Sequence, residues 1–308
     1  MMPQTENRIV LVSRRTRLEE LVARFNTLTQ ARFYVEHLGA DFTDYQQEHD
    51  RYLEALRAAE RVLGNHGRIH VVNRTFLPNY VFGKNDVVVA LGQDGLVANT
   101  IKYLSSQPLI GVNPDRDRWD GVLLPFTVND LDTLIPEVFA RKRPIKEITM
   151  AKASLNNGQV LHAVNDFFIG ARSHISARYQ IRLADKTERH SSSGIIISTG
   201  LGSTGWLKSV MAGAQALAGN AASTRAPSRP MPWHAPYLMF SVREPFPSRT
   251  TAATLVQGRI QDTPLEISSQ MAENGTIFSD GIEQDYLEFN AGTSVLISVA
   301  ERKGMLVV

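Results

Sequence analysis

Three short segments of this 308-residue sequence combine glycine with side chains that bind anions or move protons. In the first, residues 92–95, Asp94 lies between Gly92 and Gly95, directly after the apolar run 87–91. A buried strand that ends in glycine and opens into a helix points backbone N–H groups at a space the size of an anion. Asp94 is then at the carboxyl end of that strand, where open α/β sheets bind ligands. Its carboxylate can accept a proton from a substrate hydroxyl or hold Mg²⁺ through water; alternatively it only caps the helix, and the pattern leaves both open.

The second segment, residues 199–205, joins an apolar strand to a helix through a loop, which we call the glycine loop. Its glycines and hydroxyl residues include Gly200, Gly202, Gly205, Ser203 and Thr204. Glycine lets the backbone approach a ligand closely, and hydroxyl groups both donate and accept hydrogen bonds. A plain helix cap needs one serine or threonine and none of these glycines. The composition of the loop therefore favours phosphate or nucleotide binding.

The third segment is a pair of polar residues, Asn165 and Asp166, inside the otherwise apolar run 163–170. An adjacent amide and carboxylate can donate to and accept from ribose hydroxyls or a carboxamide. A bulge or turn stabilised by these side chains is the alternative, and the residue types alone do not decide between the two.

Arginine is concentrated just after the first predicted strand, at Arg14, Arg15 and Arg17. Guanidinium groups pair well with phosphate oxygens, so these side chains are candidates for contacts with the phosphates of a nucleotide. The solvated start of a helix explains the same cluster, and the sequence does not separate the two interpretations.

The first half of the chain alternates strand and helix patterns, and these elements must position the side chains above. Short β-branched or apolar runs predict strands at residues 8–13, 68–73, 86–91 and 108–112. Helical spacing of apolar residues predicts helices at residues 18–25, 45–63 and 97–104, with Gly64 ending the second. Strands separated by helices predict a doubly wound, parallel α/β sheet.

The pattern changes near Lys146, and the second half is mostly β. Strands are predicted at residues 147–153, 159–164, 179–183, 195–198, 238–242, 254–260, 265–269 and 294–299, with a hairpin turn at 156–158. One helix, at 206–218, interrupts them, so this half predicts two packed antiparallel sheets. The stretch 219–236 is rich in alanine, serine and proline without a period, which predicts a mobile surface loop. The predicted fold class is α/β followed by a β-rich, two-sheet domain, with the domains at residues 1–144 and 145–308.

Composition excludes several classes of function. The sequence has no cysteine, which excludes disulfides, thiolate metal sites, iron–sulfur clusters and a cysteine nucleophile. With 33 basic and 31 acidic residues, the net charge of +2 gives no bulk support for nucleic-acid or membrane-surface binding. No apolar run approaches the ~18 residues of a membrane span, and the polar N-terminus lacks a secretory pattern. We therefore expect a soluble, cytoplasmic protein that binds neither nucleic acid nor membrane.

The three segments together resemble the motifs of the NAD kinases, in order and in approximate spacing. That family has a Gly-Gly-Asp-Gly-Thr turn, an Asn-Glu/Asp pair and a Thr-x-Thr-Gly-Ser-Thr-Ala-Tyr loop. The corresponding residues are Gly-Gln-Asp-Gly at 92–95, Asn165 with Asp166, and Thr-Gly-Leu-Gly-Ser-Thr-Gly-Trp at 199–206. Ile-Gly-Val-Asn at 110–113 also fits, and the resemblance covers most of the chain. It is closest to the mitochondrial-type branch, through residues 113–118, 191–194 and 243–245.

This resemblance implies an α/β domain followed by a β-rich domain, with the active site between them. It implies transfer of a phosphoryl group from ATP to the 2′-hydroxyl of the adenosine ribose of NAD, which gives NADP. By position, Asp94 is the catalytic carboxylate that helps to remove the ribose proton. The residues implied to bind nucleotide are Gly92, Gly95, Asn165, Asp166, Gly202, Ser203 and Thr204. Mg²⁺ is expected to arrive with ATP rather than in a dedicated metal site, and a homodimer or larger oligomer is expected.

Two residues depart from the family pattern. Gln93 replaces the second glycine of the first motif, and Leu96 replaces the threonine that follows it. If φ at residue 93 is positive, glutamine is strained there, and Leu96 removes a hydroxyl that could contact phosphate. These departures favour an alternative function, a catalytically weak regulatory protein that binds NAD or NADP. The other alternative is a related kinase that acts on a sugar or lipid hydroxyl, against which the Asn165–Asp166 pair and the glycine loop argue.

Overall fold

The computed structural model describes residues 7–218 and 230–308. They form two compact units, one made of the chain up to Lys146 together with Met305–Val308, and the other of Glu147–Gly304. Each unit encloses its own hydrophobic core. The predicted surface loop at 219–236 lies outside the described residues except for residues 230–236.

The sheet of the first unit is parallel. Its strands are β1 (Arg8–Ser13), β2 (Arg68–Asn73), β3 (Val87–Leu91) and β4 (Pro108–Val112). Their order across the sheet is β2-β1-β3-β4, and Met305 and Leu306 pair in parallel with β4. Every residue of β3 is buried, as expected for a central strand that is covered on both faces. The order reverses between β1 and β3, so the carboxyl ends of these strands form the topological switch point of the sheet.

The α-helices described in the first unit pack on this sheet and on one another. They are α1 (Arg17–Phe25), α2 (Leu28–His37), α3 (Phe42–Gly64), α4 (Asp94–Ile101) and α5 (Leu131–Phe139). A capping box between Thr16 and Glu19 starts α1, and the Asp41 carboxylate accepts the Thr43 N–H at the start of α3. Apolar side chains of α3 and α5 form the core with those of β1, β3 and β4.

The second unit consists mainly of antiparallel strands in two sheets. The strands are β5 (Ile145–Leu155), β6 (Val160–Ala163), β7 (Asp166–Ala171), β8 (Ala177–Leu183), β9 (Lys186–Ser192), β10 (Ile195–Ser198), β11 (Leu238–Val242), β12 (Gln257–Ile260), β13 (Leu265–Ser269), β14 (Gly275–Ser279), β15 (Ile282–Glu288) and β16 (Ser294–Val307). One sheet has the order β12-β11-β10-β7-β14-β15, and the other contains β16-β13-β8-β9 with β5 and β6. Apolar side chains such as Phe167, Ile197 and Ile267 form a single core. Helix α6 (Trp206–Ala218) follows β10, at the predicted position.

Several elements are present that the sequence pattern does not predict, namely α2, α5, β9, β14 and β15. Helix α4 also begins at Asp94, three residues before the predicted start, because its first turn is formed by the motif itself. Within residues 7–218 and 230–308, no helix is both long enough and apolar enough to cross a membrane.

Candidate functional site

The turn that carries Asp94 lies at the switch point of the parallel sheet. It follows β3 directly, and the side chain of Arg14, which follows β1, lies beside it. Side chains pack closely over the glycine: a Cβ at Gly92 would lie 2.9 Å from Leu96 Cδ2, which would have to move, and 3.5 Å from Arg14 Cδ and Nε. The Tyr52 hydroxyl of α3 joins the two strand ends: it donates to the last carbonyl of β3 and accepts from Arg14 N–H. The sheet order therefore brings this turn to the edge where α/β sheets bind ligands.

Asp94 is the first residue of α4, and it is half-buried. Its Oδ1 accepts a 2.7 Å hydrogen bond from Leu123 N–H, and its Oδ2 accepts a 3.3 Å bond from Val122 N–H. The N-cap position belongs to Gln93, which makes no side-chain capping bond. An ionised carboxylate has about four lone-pair positions. The two backbone donors therefore fix the direction of the Asp94 carboxylate and leave it able to accept from a substrate hydroxyl.

Neither departure from the expected motif strains the backbone. Gln93 has φ −121° and ψ 163°, an extended conformation that any residue adopts, so the strain expected for a positive φ is absent. Leu96 is 2% exposed, and its side chain fills the space beside Gly92. At Gly95, by contrast, a Cβ would meet no atom within 4 Å. Leu96 thus packs against the backbone at residue 92, where the absence of a Cβ leaves room for it.

The arginines after β1 have different surroundings. Arg14 Nη2 donates to Glu48 Oε1 at 2.8 Å, and Arg17 Nε donates to Glu48 Oε2 at 2.5 Å. Glu48 is buried, which by itself raises its pKa, but the two guanidinium groups lower the pKa below its ordinary value. Arg15 is exposed. Arg14 Nε is buried, lacks a hydrogen-bond partner within the described residues and lies beside Gly92. The groups open to phosphate are therefore the Arg15 side chain and the remaining N–H groups of Arg17, whose side chain is 37% exposed.

In the second unit, the Asn165–Asp166 pair and the glycine loop pack on each other. Thr199 N–H donates to Asn165 O at 2.9 Å, and Thr199 Oγ1 donates to Val164 O at 2.5 Å. Gly202 N–H in turn donates to Thr199 Oγ1 at 3.2 Å. Two of the three predicted segments, separate in sequence, thus form one surface.

Gly202 allows this packing, because a Cβ there would lie 2.1 Å from the backbone oxygen of Asn165. We expect Gly202→Ala to push the glycine loop away from the pair and to destabilise the protein by about 3 kcal/mol. Urea unfolding followed by tryptophan fluorescence measures the change. Gly213→Ala in α6, where a Cβ meets no atom within 4 Å, is the matched control and should be neutral or slightly stabilising. Equal stability of Gly202→Ala and the wild type would contradict the observed packing.

Asp166 is a buried acid at the start of β7, 9% exposed. Burial, and then the charge of the nearby Asp280 carboxylate, raise the pKa of Asp166 from 3.8 to about 7. Its carboxyl group therefore changes charge near neutral pH. In the protonated form it can donate a hydrogen bond to a sugar oxygen, and in the ionised form it accepts one from a hydroxyl.

Ser203 and Thr204 lie in a short 3₁₀ turn, Gly202–Thr204. Ser203 Oγ donates to Gly200 O at 2.7 Å and accepts from Met231 N–H at 3.1 Å, so this hydroxyl holds the loop together. Thr204 is exposed. Residues 230–236 belong to the predicted mobile surface loop, and they contain no helix or strand, but they are packed against the protein. Met231 is 6% exposed, and a Cβ at Gly200 would lie 1.9 Å from Pro232 O, so the stretch packs on the glycine loop.

The sequence did not predict an aromatic pocket that includes Trp206. Trp206 stacks on Phe168 with ring centroids 5.7 Å apart, and Phe168 stacks on Phe278 at 5.0 Å. The guanidinium of Arg243 lies 5.4 Å from the Trp206 ring. These side chains line a pocket of about 290 Å³ in the second unit. Phe167 and Phe168 are adjacent in β7, so they must face opposite sides of the sheet. This alternation was the sequence signal that one of them lies outside the core.

Two solved structures share this fold. The chain is similar to yeast NADH kinase complexed with NADH, with a TM-score of 0.60 and 15% identity over 98% of this chain and 83% of that one. It is also similar to an NAD kinase from Archaeoglobus fulgidus in complex with ATP, with a TM-score of 0.55 and 14% identity over 98% of this chain and 93% of that one. The chain has the fold of these kinases. The predicted fold class, α/β followed by a β-rich domain, is thereby confirmed. No protein-family model matches the sequence, and no curated protein does.

Proposed function

We propose that this protein is an NAD kinase, which transfers a phosphoryl group from MgATP to the 2′-hydroxyl of the adenosine ribose of NAD and gives NADP. The observation that carries the proposal is the position of Asp94, a carboxylate held at the switch point of the α/β sheet in a fold shared with two such kinases. The ligands of those two proteins, NADH and ATP, support this choice of substrates.

Asp94 is the proton acceptor in this reaction. The ribose 2′-oxygen forms a bond to the γ-phosphorus of ATP while the bond from that phosphorus to the β,γ-bridging oxygen breaks, and ADP leaves with the electron pair. The proton of the hydroxyl moves to the Asp94 carboxylate as the new bond forms. The amides of Leu123 and Val122 keep the carboxylate oriented throughout.

The surface formed by the Asn165–Asp166 pair and the glycine loop binds NAD. Asn165 and Asp166 bind the ribose and base through their side chains, and Gly202, Ser203 and Thr204 line the same site. Because Gly202 has no Cβ, both backbones stay close enough for one ligand to contact them together. The exposed Thr204 supplies a hydroxyl to the ligand, whereas the Ser203 hydroxyl shapes the loop.

Mg²⁺ enters the site bound to ATP. Mg²⁺ bound to ATP neutralises the charge of its phosphates, as is usual for this ion. Gly92 and Gly95 flank the start of α4, whose free amides and positive dipole end favour phosphate oxygens. The exposed Arg15 side chain adds a donor for phosphate oxygens.

The branch, the assembly and the location belong to the same proposal. Residues 113–118, 191–194 and 243–245 support the mitochondrial-type branch. The family resemblance supports a homodimer or larger oligomer, and the expected location is the cytoplasm.

A comparison of phosphoryl acceptors tests the proposed activity. Purified protein with MgATP is offered NAD, NADH, a hexose or a diacylglycerol, and ADP release and phosphorylated products are measured. The proposal requires transfer to a dinucleotide. Transfer to the sugar or lipid alone would identify a related kinase with another acceptor.

Gln93 and Leu96 favour a second candidate, a catalytically weak regulatory protein that binds NAD or NADP. The Gln93 side chain stands at the start of α4, where phosphate would approach, and Leu96 brings no hydroxyl there. If this candidate holds, the wild type binds NAD without turnover, and Gln93→Gly combined with Leu96→Thr restores turnover.

For an active kinase, we expect the Gln93→Gly, Leu96→Thr double variant to change kcat less than about tenfold. We also expect it to lose about 2 kcal/mol of stability, because Leu96→Thr removes buried apolar contacts and buries a hydroxyl. Rates of NADP formation and urea unfolding measure the two effects, with Gln93→Gly alone as the control. A hundredfold rise in kcat would favour the regulatory candidate.

A further inference from the structure

Asp280 lies in the turn between β14 and β15, and its carboxylate binds the backbone of the Asn165–Asp166 pair. Oδ1 accepts hydrogen bonds from three consecutive N–H groups, those of Val164 at 3.0 Å, Asn165 at 2.6 Å and Asp166 at 3.4 Å. Oδ2 accepts a further bond from Val164 N–H at 3.1 Å. In the other direction, Asp280 N–H donates to Asp166 O at 3.0 Å. Asp280 is 114 positions away from Asp166 in sequence, and its carboxylate accepts hydrogen bonds from all three backbone amides of residues 164–166.

The carbonyl side of the same segment is held by the glycine loop. Thr199 N–H donates to Asn165 O, and Thr199 Oγ1 donates to Val164 O. Amides bound by Asp280 and carbonyls bound by Thr199 hold residues 164–166 in one backbone conformation. That conformation determines the direction in which the Asn165 and Asp166 side chains leave the chain.

The charge of Asp280 suits this arrangement. Successive N–H groups that converge on one point form a concave site for an anion. Here a carboxylate of the chain itself fills the site, and hydrogen bonds to an ionised acceptor are roughly twice as strong as those to a neutral one. Without the carboxylate, three partly buried N–H groups lose their acceptor, and the segment is free to take other conformations.

We propose that Asp280 is a positioning residue for NAD binding, which presents Asn165 and Asp166 to the dinucleotide in a single conformation by holding the amides of residues 164–166. The inference rests on the proposed NAD kinase function. Asp280 acts through the backbone of the pair and not on the reacting atoms. A group that preorganises a binding segment contributes to affinity, so its removal weakens NAD binding more than it slows the chemical step.

The backbone of Asp280 determines which variants keep the turn. Its φ is +55° and that of Gly281 is +70°, the combination of two-residue hairpin turns that favours aspartate, asparagine and glycine. Asp280→Asn keeps the turn and one acceptor oxygen but removes the charge. Asp280→Gly keeps the turn and removes every acceptor. The Asp-Gly dipeptide is a hairpin signal that the sequence prediction did not use.

The test measures the Kd of NAD by calorimetry, and KM and kcat by NADP formation, in the wild type and both variants. We expect Kd and KM for NAD to rise about tenfold in Asp280→Asn and about a hundredfold in Asp280→Gly, with kcat within threefold of the wild type. Amide hydrogen exchange at residues 164–166 should accelerate in both variants without ligand. Asp185→Asn, at an exposed residue in the β8–β9 turn, is the control and should change none of these values.

An unchanged Kd for NAD in the variants would overturn the inference, whether or not amide exchange at residues 164–166 accelerates. A fall in kcat at constant KM would also overturn it, because it would place Asp280 in the chemical step. If Asp280→Gly fails to fold, Asp280→Asn decides the question. A wild type that binds no NAD overturns the proposed function and this inference with it, whereas wild-type NAD binding that the variants leave unchanged overturns this inference alone.

Discussion

Asp94→Asn is expected to reduce kcat for NADP formation by roughly 10²–10⁴-fold while the protein stays folded. Asparagine has nearly the size of aspartate but cannot take up the ribose proton. Its side-chain oxygen can still accept the Leu123 N–H, which makes the 2.7 Å bond to Asp94. Only the longer bond from Val122 N–H, at 3.3 Å, loses its acceptor. The variant therefore separates proton transfer from folding.

Initial rates at saturating NAD and MgATP measure this loss, and thermal unfolding confirms that the variant is folded. Asp117→Asn is the matched control, because Asp117 lies in the same unit with a side chain that is 92% exposed. It should keep the wild-type rate. If Asp94→Asn retained more than a tenth of the wild-type kcat, Asp94 would not be the proton acceptor.

Asp166→Asn is expected to stabilise the protein at pH 8 by up to roughly 4 kcal/mol and to leave its stability at pH 4 nearly unchanged. In the folded protein, burial and then the Asp280 charge raise the pKa of Asp166 from 3.8 to about 7. At a pH between 3.8 and about 7, the Asp166 carboxyl has released its proton in the unfolded chain and keeps it in the folded protein. Unfolding then releases a proton, so the wild type loses stability as the pH rises from about 4 to about 7. The difference between the folded and unfolded pKa corresponds to about 4 kcal/mol of unfolding free energy, since a shift of one pKa unit corresponds to about 1.4 kcal/mol.

Urea unfolding of the wild type and of Asp166→Asn, at pH 4, 6 and 8, measures this difference. Asparagine does not titrate, so the gap between the two proteins should widen up to about pH 7 and then stay constant. Asp262→Asn, at an exposed position in the same unit, should show no such gap. A difference in stability that does not vary with pH would mean that the Asp166 carboxyl ionises at its ordinary pKa. Because Asp166 is also assigned to NAD binding, the more stable variant should bind NAD less tightly.

The sequence predicts best the elements whose residues carry a strong local pattern. Strand β3 is a continuous apolar run and β10 is three isoleucines followed by Ser198, and every residue of both is buried. Strand β9, Lys186–Ser192, has no aliphatic side chain and no Phe, Tyr or Trp, and it lies at the edge of its sheet, so its structure depends on pairing with β8. Helix α5 buries a regular apolar stripe, Leu131, Leu134, Ile135 and Val138, but Pro136 within it is unfavourable in a helix interior. Helix α2 exposes Leu28 and Phe33, so its apolar residues do not mark one buried face.

At the candidate site, too, features with a local sequence pattern could be predicted, and features that depend on the folded chain could not. Motif spacing proposes Asp94, Asn165 and the glycine loop as site residues, because glycine next to polar side chains after an apolar run is visible locally. Sheet order is not local, and it is the order β2-β1-β3-β4 that brings Asp94 to the switch point. The φ of Gln93 and the partners of Asp280 also depend on the folded chain, and no short pattern contains them.

The position of the phosphate in the product formed from NAD tests the proposed function most directly. Purified protein is incubated with MgATP and NAD, ADP is quantified, and the dinucleotide product is examined by phosphorus NMR and by an NADP-specific dehydrogenase. Proton acceptance by Asp94 predicts equal amounts of ADP and NADP, with the new phosphate on the 2′-oxygen of the adenosine ribose. NAD that is bound together with ATP but recovered unchanged would contradict this function and would support a regulatory protein that binds the dinucleotide without phosphorylating it.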